Sequence, residues 1–180
     1  MSKNIKNKTL YAVLAALFTA LIAVFAQFQI PTPFFPLTLQ TFAVALCGYT
    51  LGVKYSLFSV LAYMLLGLCG APVFSSFCGG AHHFTDPQGG FLIAFPILAV
   101  FCALSHKLKR PIQKIGLGIL GVAVMYVFGA VHFIAVTGIK SIAATVLMFF
   151  ATFVKDVLLV LFGFYVSKIL NRRILKNGTR

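Results

Sequence analysis

The chain has 180 residues, 61% of them hydrophobic and only 9% charged, and fifteen Lys and Arg stand against two acids, for a net charge of +13. A soluble domain carries about a quarter charged residues, so this chain has too little polar surface to face water all round, and a bilayer is its expected solvent.

In chain order, a basic head (Lys3, Lys6, Lys8) precedes the first apolar run, residues 10–28. That run is longer than the apolar core of a signal peptide and lacks a small-x-small cleavage site, so it is read as the first span. Ala12, Ala16 and Ala20 follow one another at four-residue spacing, a pattern that lets a second helix approach closely. Further apolar segments cover 38–53, 55–70, 89–105, 115–136 and 141–168. The second and third meet around Gly52–Tyr55, the least distinct boundary. The runs are continuous rather than alternating, which favours helices over a barrel. The expected fold is an all-α membrane protein of six transmembrane helices: a basic N-terminus (1–9), a bundle (10–168) and a basic tail (169–180).

Six spans put both termini on one side. With that side in the cytoplasm, thirteen of the fifteen Lys and Arg fall there; Lys140 lies outside and Lys155 within the last span. So one-sided a distribution is the positive-inside pattern, and the charge reads as topology and contact with anionic lipid. Nucleic acid is not an expected partner, because the basic residues are spread over separate loops. Two neutral segments fall outside, "QIPTPFFPLTLQTF" (29–42) and "GAPVFSSFCGGAHHFTDPQGG" (70–90), which hold five of the seven prolines. Irregular, uncharged backbone beside a membrane is tolerated where it packs on protein or lines a cavity. Both segments are therefore expected to cap the outward mouth of the bundle.

The acids are Asp86, in the outer cap, and Asp156, beside Lys155 inside a span. Charges within a span usually face the bundle interior. Thr152 and Asp156 are four apart and share a helix face, which Lys155 flanks, so hydroxyl, carboxylate and ammonium are placed to grip a small polar group; the alternative is a structural lock between helices. Thr38 and Gln40 carry polar atoms just after the proline break, with helix capping as the other role for Thr38. Tyr63 is lipid-facing, core or a stacking partner. His82 and His83 are adjacent and make a poor metal site, and His132 is a packing residue. The four cysteines are scattered and behave as small hydrophobes. There is no phosphate loop, no HExxH or GxSxG motif and no pair of acids suited to acid/base catalysis, so neither ATP hydrolysis nor another enzymatic activity is expected.

Three stretches carry a family resemblance over nearly the whole chain: "PLTLQT" (Pro36–Thr41), "YMLLGLCGAPVF" (Tyr63–Phe74) and "GG…DPQGGFLIAFP" (Gly79–Pro96). They resemble the "PxTLQT", "YLLLGxxGxPVF" and "GPTGGYLxGFP" wording of the biotin-binding S components of energy-coupling-factor (ECF) vitamin transporters. The resemblance implies a multi-pass protein of the bacterial plasma membrane that catches biotin beneath its outer loops. It needs no cofactor or metal and works with a membrane coupling subunit and two cytoplasmic ATPases. With the residue chemistry above, the expected vitamin site is Thr38, Gln40, Tyr63, Phe74, Gln88, Thr152, Lys155 and Asp156, and the resemblance implies that Ala12, Ala16 and Ala20 form a docking face for the coupling subunit. The chain departs from the pattern in two places. The family's "FxxGDxxK" keeps only Lys155 here, with Thr152 where the acid stands and Asp156 after the lysine; and "DPQGG" replaces "GPTGG". An S component for thiamine or riboflavin is the nearest rival, and an intramembrane enzyme a more distant one.

Overall fold

The computed structural model describes residues 2–30, 37–138 and 142–172. Pro31, Pro33 and Pro36, Lys140, and Arg173, Lys176 and Arg180 lie outside the described residues. Five long helices dominate: α1 (Ser2–Gln27), α2 (Gln40–Leu68), α3 (Gly89–Leu104), α4 (Pro111–Thr137) and α5 (Ile142–Leu170). All five are long and apolar enough to cross a membrane.

The expected second and third helices meet at the boundary read around Gly52–Tyr55. Both fall within α2, whose helical backbone is interrupted at one residue, Gly52 (φ 74°, ψ 175°). That interruption nevertheless reverses the chain. Gln40 Nε2 donates to Tyr63 Oη at 2.6 Å, although 23 residues of straight helix would separate them by about 35 Å. The two arms of α2 therefore fold back on each other. The Gly52 conformation belongs to a region that is essentially glycine's alone, with a cost of roughly 1–3 kcal/mol for other residues. No atom lies within 4 Å of a Cβ built there, so Gly52→Ala tests the backbone alone. It should destabilise by about that amount in thermal unfolding, and an unchanged melting temperature would show that the turn tolerates a side chain.

The first arm of α2 is the centre of the molecule. Every residue from Gln40 to Leu51 is buried, as suits a helix that is apolar on all sides. Gly48 lets α3 close in on it at the Ala99 carbonyl and Cys102. One core gathers Ile22, Val44, Tyr63, Phe95, Leu98, Val122 and Val160 around this arm; a second joins Ala15, Phe18, Phe42 and Leu46. The outer faces remain apolar and exposed, for example Leu17, Phe58, Val131, Phe150 and Leu158. Water would make such a surface an aggregation hazard, whereas acyl chains match it.

On α1 two small-residue faces separate. Ala15, Thr19, Ile22 and Ala26 are buried, and Thr19 and Ser59 hydroxyls tie α1 to the second arm of α2 through the Ala15 and Ser59 carbonyls (2.9–3.1 Å). Ala12, Ala16 and Ala20 point the other way and are exposed.

The two ends of the bundle differ. Tyr11 stacks on Tyr55 and Asn171 donates to the Tyr49 carbonyl, so the start of α1, the Gly52 turn and the end of α5 share one end. Lys8, Lys54, Lys107, Lys109, Arg110, Lys114, Lys168 and Arg172 belong to that end; Lys155 is the remaining Lys or Arg among the residues with described side chains. The other end carries the two caps. A short antiparallel ribbon pairs Gln29 with Thr38 and Ile30 with Leu37. The 70–88 segment folds through two 3-10 turns, Ser75–Phe77 and Ala81–Phe84. Gln27 staples this segment to α1, donating to the Phe74 carbonyl (3.0 Å) and accepting from the Phe77 N–H (2.9 Å), while Gln29 reaches Ser76.

Candidate functional site

At the capped end a cavity opens between the start of α2, the 70–88 segment and helices α3, α4 and α5. Seven of the eight residues expected to form a site line it: Thr38, Gln40, Phe74, Gln88, Thr152, Lys155 and Asp156. Tyr63 is placed one layer behind, fully buried, with its hydroxyl on Gln40 and its ring edge-on to Phe74 at 5.6 Å.

The polar wall is one connected chain. Tyr126 Oη donates to Asp156 Oδ2 (2.7 Å). Lys155 Nζ stands 2.9 Å from Asp156 Oδ1 and donates to the Thr38 carbonyl (2.7 Å). The Thr38 hydroxyl donates to Gln40 Oε1 (2.9 Å), so Thr38 is not a helix cap; Leu39 holds the cap position, without a side-chain bond. Lys155 has two positions at once. It faces the cavity and fastens the first residues of α2 to α5. The Thr152 hydroxyl is turned back onto the Phe149 carbonyl (2.7 Å).

The apolar wall comes from α3 and α4. Phe91, Leu92 and Phe95 share a face of α3 with Gln88 and meet Met125 and Tyr126 across the cavity. Phe91 and Tyr126 pack edge to face at 5.2 Å, and Tyr126 does the same with Phe153. The 88/91/92/95 spacing was visible in the sequence as one helical face. Nothing local linked Tyr126 to Asp156.

His83, offered by the sequence only as half of a poor metal site, belongs to the lining as well. Its ring is edge-on to Phe74 and its Nδ1 is 3.2 Å from Asp86 Oδ2. Burial first, and then the neighbouring His82, hold it below the ordinary imidazole value, while Asp86 pulls the other way. At neutral pH the ring is uncharged, so Nδ1–H donates to Asp86 and Nε2 is left as a bare acceptor. His132 Nε2 sits 3.0 Å from the Asp86 carbonyl oxygen and anchors this loop to α4. His82, His83 and Asp86 bring their ligand atoms within 4.8 Å of one another.

A pH dependence follows. The unfolded chain takes up the His83 proton near pH 6.5, the folded chain only at lower pH. The stabilisation is therefore fully present above that value and is lost as pH falls through the folded value. Between about pH 7.5 and about pH 5.5, the melting temperature of the wild type should fall further than that of His83→Gln. Parallel pH profiles would discount the shift.

Two buried polar atoms of this lining have no hydrogen-bond partner, Asp156 Oδ1 and His83 Nε2. The Lys155 ammonium near Asp156 is an ion-pair partner without hydrogen-bond alignment. Both orphans are acceptors. Asp156 Oδ1 has the Lys155 charge beside it, His83 Nε2 has no hydrogen bond, and much of the remaining lining is apolar, so the cavity is suited to a largely apolar ligand that brings N–H or O–H donors.

The chain is similar to proteins that are already known. The BioY family matches residues 1–176. A protein of Lactococcus lactis named biotin transporter BioY2 is 33% identical over 173 residues, 92% of this chain and 95% of that one. The biotin transporter BioY of Thermotoga maritima is 42% identical over 117 residues, 64% of this chain and 69% of its own length. A crystal structure of the S-component for biotin from an ECF-type ABC transporter superposes with a TM-score of 0.77 at 28% identity, covering 93% of this chain and 95% of that one. With the family model spanning nearly the whole sequence and the fold shared end to end, this chain belongs to the BioY family.

Proposed function

We propose that the chain captures biotin at the outer face of a bacterial plasma membrane and brings it in as the S component of an ECF-type transporter. The observation that carries the choice of ligand is an aromatic and aliphatic cavity whose lining holds two acceptors, the ion-paired Asp156 carboxylate and the unbonded His83 Nε2. Biotin's ureido group offers two N–H donors, and its fused rings and valeryl chain suit the Phe74, Phe91, Phe95 and Met125 walls. Lys155 and Gln40 are the groups available to the carbonyl or the carboxylate.

The topology proposed is a single transmembrane domain with six crossings, the reversal at Gly52 making two of α2. Both termini lie in the cytoplasm and the caps lie outside, supported by the segregation of Lys and Arg to the uncapped end. The coupling subunit docks on α1 at Ala12, Ala16 and Ala20, which are exposed and small enough for close helix contact, and ATP is hydrolysed by two cytoplasmic partners. Isothermal titration of the detergent-purified chain with biotin, thiamine and riboflavin tests the reading. Submicromolar binding of biotin, with no heat from the other two, is expected. Preference for either of the others, or turnover of the bound vitamin, would refute it.

A further inference from the structure

A second cavity lies at the opposite end of the bundle, and its chemistry is the reverse of the first. It opens between the first arm of α2, the α3–α4 connection and the last turns of α5. Ser167, on its wall, is eleven residues along α5 from Asp156, roughly 16 Å. Lys109, Lys114, Lys168 and Arg172 converge on it, and no acid answers them, because both acids of the chain belong to the capped end. The N-terminus of the 27-residue α4 opens at the same place. Pro111 and Lys114 line the cavity, and the first turn of α4 has neither an acidic residue nor a side-chain cap. The positive end of the helix dipole therefore adds to the four cations.

The floor is polar and buried: Ser105, Ser167 and Tyr49 are each 3% exposed. Asn171 supplies an independent sign of a missing ligand. Its Nδ2 is spent on the Tyr49 carbonyl, and its Oδ1 is buried with no partner. An anion alone does not satisfy an acceptor; an anion carrying a hydroxyl does. The direction of approach is also marked. Ile112 (76% exposed) and Ile169 (59% exposed) lie next to the lining residues Pro111 and Lys168, on outward apolar surface.

We infer that this cavity holds the phosphate of an anionic phospholipid whose headgroup carries a hydroxyl, as phosphoglycerol does. The phosphate sits among Lys109, Lys114, Lys168 and Arg172, the hydroxyl donates to Asn171 Oδ1, and the acyl chains lie along the outer apolar face. The inference does not depend on the identity of the vitamin.

The test is thermal unfolding of the full chain in nanodiscs of phosphatidylcholine alone, or with a minor fraction of phosphatidylglycerol or of phosphatidylmethanol, which has the same charge and no hydroxyl. A further arm adds free glycerol 3-phosphate to phosphatidylcholine discs. Phosphatidylglycerol should raise the melting temperature saturably by about 5 °C, and phosphatidylmethanol by less. The pair Lys114→Gln and Lys168→Gln should lose most of that rise, while the pair Lys8→Gln and Lys54→Gln, outside the cavity, keeps it. Unchanged biotin binding in the first pair establishes that it is folded. Equal loss in both pairs means diffuse surface charge and overturns the site. A rise with glycerol 3-phosphate but none with lipid overturns the lipid source in favour of a soluble phosphate ester, and equal shifts from the two anionic lipids overturn the role of Asn171.

Discussion

Asp156→Asn is expected to weaken biotin binding more than about tenfold, or 1.4 kcal/mol, with little loss of folded protein. The carboxylate is 5% exposed, and its two oxygens are not equivalent. Oδ2 is held by the Tyr126 hydroxyl; Oδ1 is paired with the Lys155 ammonium at 2.9 Å. The amide keeps the shape and an acceptor for Tyr126 but removes the charge and places a donor or a weaker acceptor toward the ligand. Charge-assisted hydrogen bonds are roughly twice as strong as neutral ones, so the loss falls on binding. Lys155→Ala behaves differently. It also weakens binding more than about tenfold, but it removes the donor to the Thr38 carbonyl and strands Asp156 as a buried, uncompensated charge. Breaking such a pair costs about 3–5 kcal/mol when fully buried, and Lys155 is partly exposed, so the lower end is expected. The double variant should therefore be more stable than Lys155→Ala alone, because the stranded charge is gone, yet bind no better. Titration calorimetry with thermal unfolding on the three proteins reads this cycle. Unchanged affinity in both single variants would remove the pair from the vitamin site.

Gly67→Ala should damage the site without touching it. A Cβ at Gly67 would fall within the Phe74 ring, which is 3% exposed and forms part of the cavity wall. Tyr63, one helical turn earlier on the same face, holds that ring edge-on, and Phe84 packs on it as well. The ring has no free side to retreat to except the cavity. Overpacking of this kind costs about 1–3 kcal/mol. Both the melting temperature and the biotin affinity should fall, the second because Phe74 is pushed into the ligand's place. Gly67→Ala combined with Phe74→Leu restores room for the methyl and should recover stability over Gly67→Ala alone. If the double variant is instead less stable by the sum of the two single losses, the contact is not the cause.

The latch formed by Lys155 and the Thr38 carbonyl gives the site a mechanical consequence. Thr38 ends the ribbon strand whose partner follows α1, and Gln40 begins the buried arm at the centre of the bundle. A ligand that engages Lys155 or Gln40 therefore acts on the same bonds that seat the outer ribbon.

Much of this architecture was present in the sequence because the forces that set it are local or additive. Low charge and long apolar runs dictate membrane helices wherever they occur. The Lys and Arg distribution orients them without reference to packing, and Pro and Gly clusters mark where helices stop. The face Gln88, Phe91, Leu92 and Phe95 could be read from helical spacing. Seven of the eight expected site residues line the cavity because intramembrane charges and polar residues beside backbone breaks have few other places to go. The tertiary structure decided what no local pattern encodes. In a bilayer both the lipid face and the core face of a helix are apolar, so periodicity does not say which way a residue turns. Ala12 and Ala15 are alike in composition, yet one is exposed and the other buried. That one glycine, Gly52, reverses the chain, that Tyr126 meets Asp156 and Lys155 meets Thr38 across 30 and 117 residues, and that His83 joins the cavity lining are consequences of distances between helices. Those distances are fixed by the packing of small residues against the buried arm of α2, and composition does not carry them.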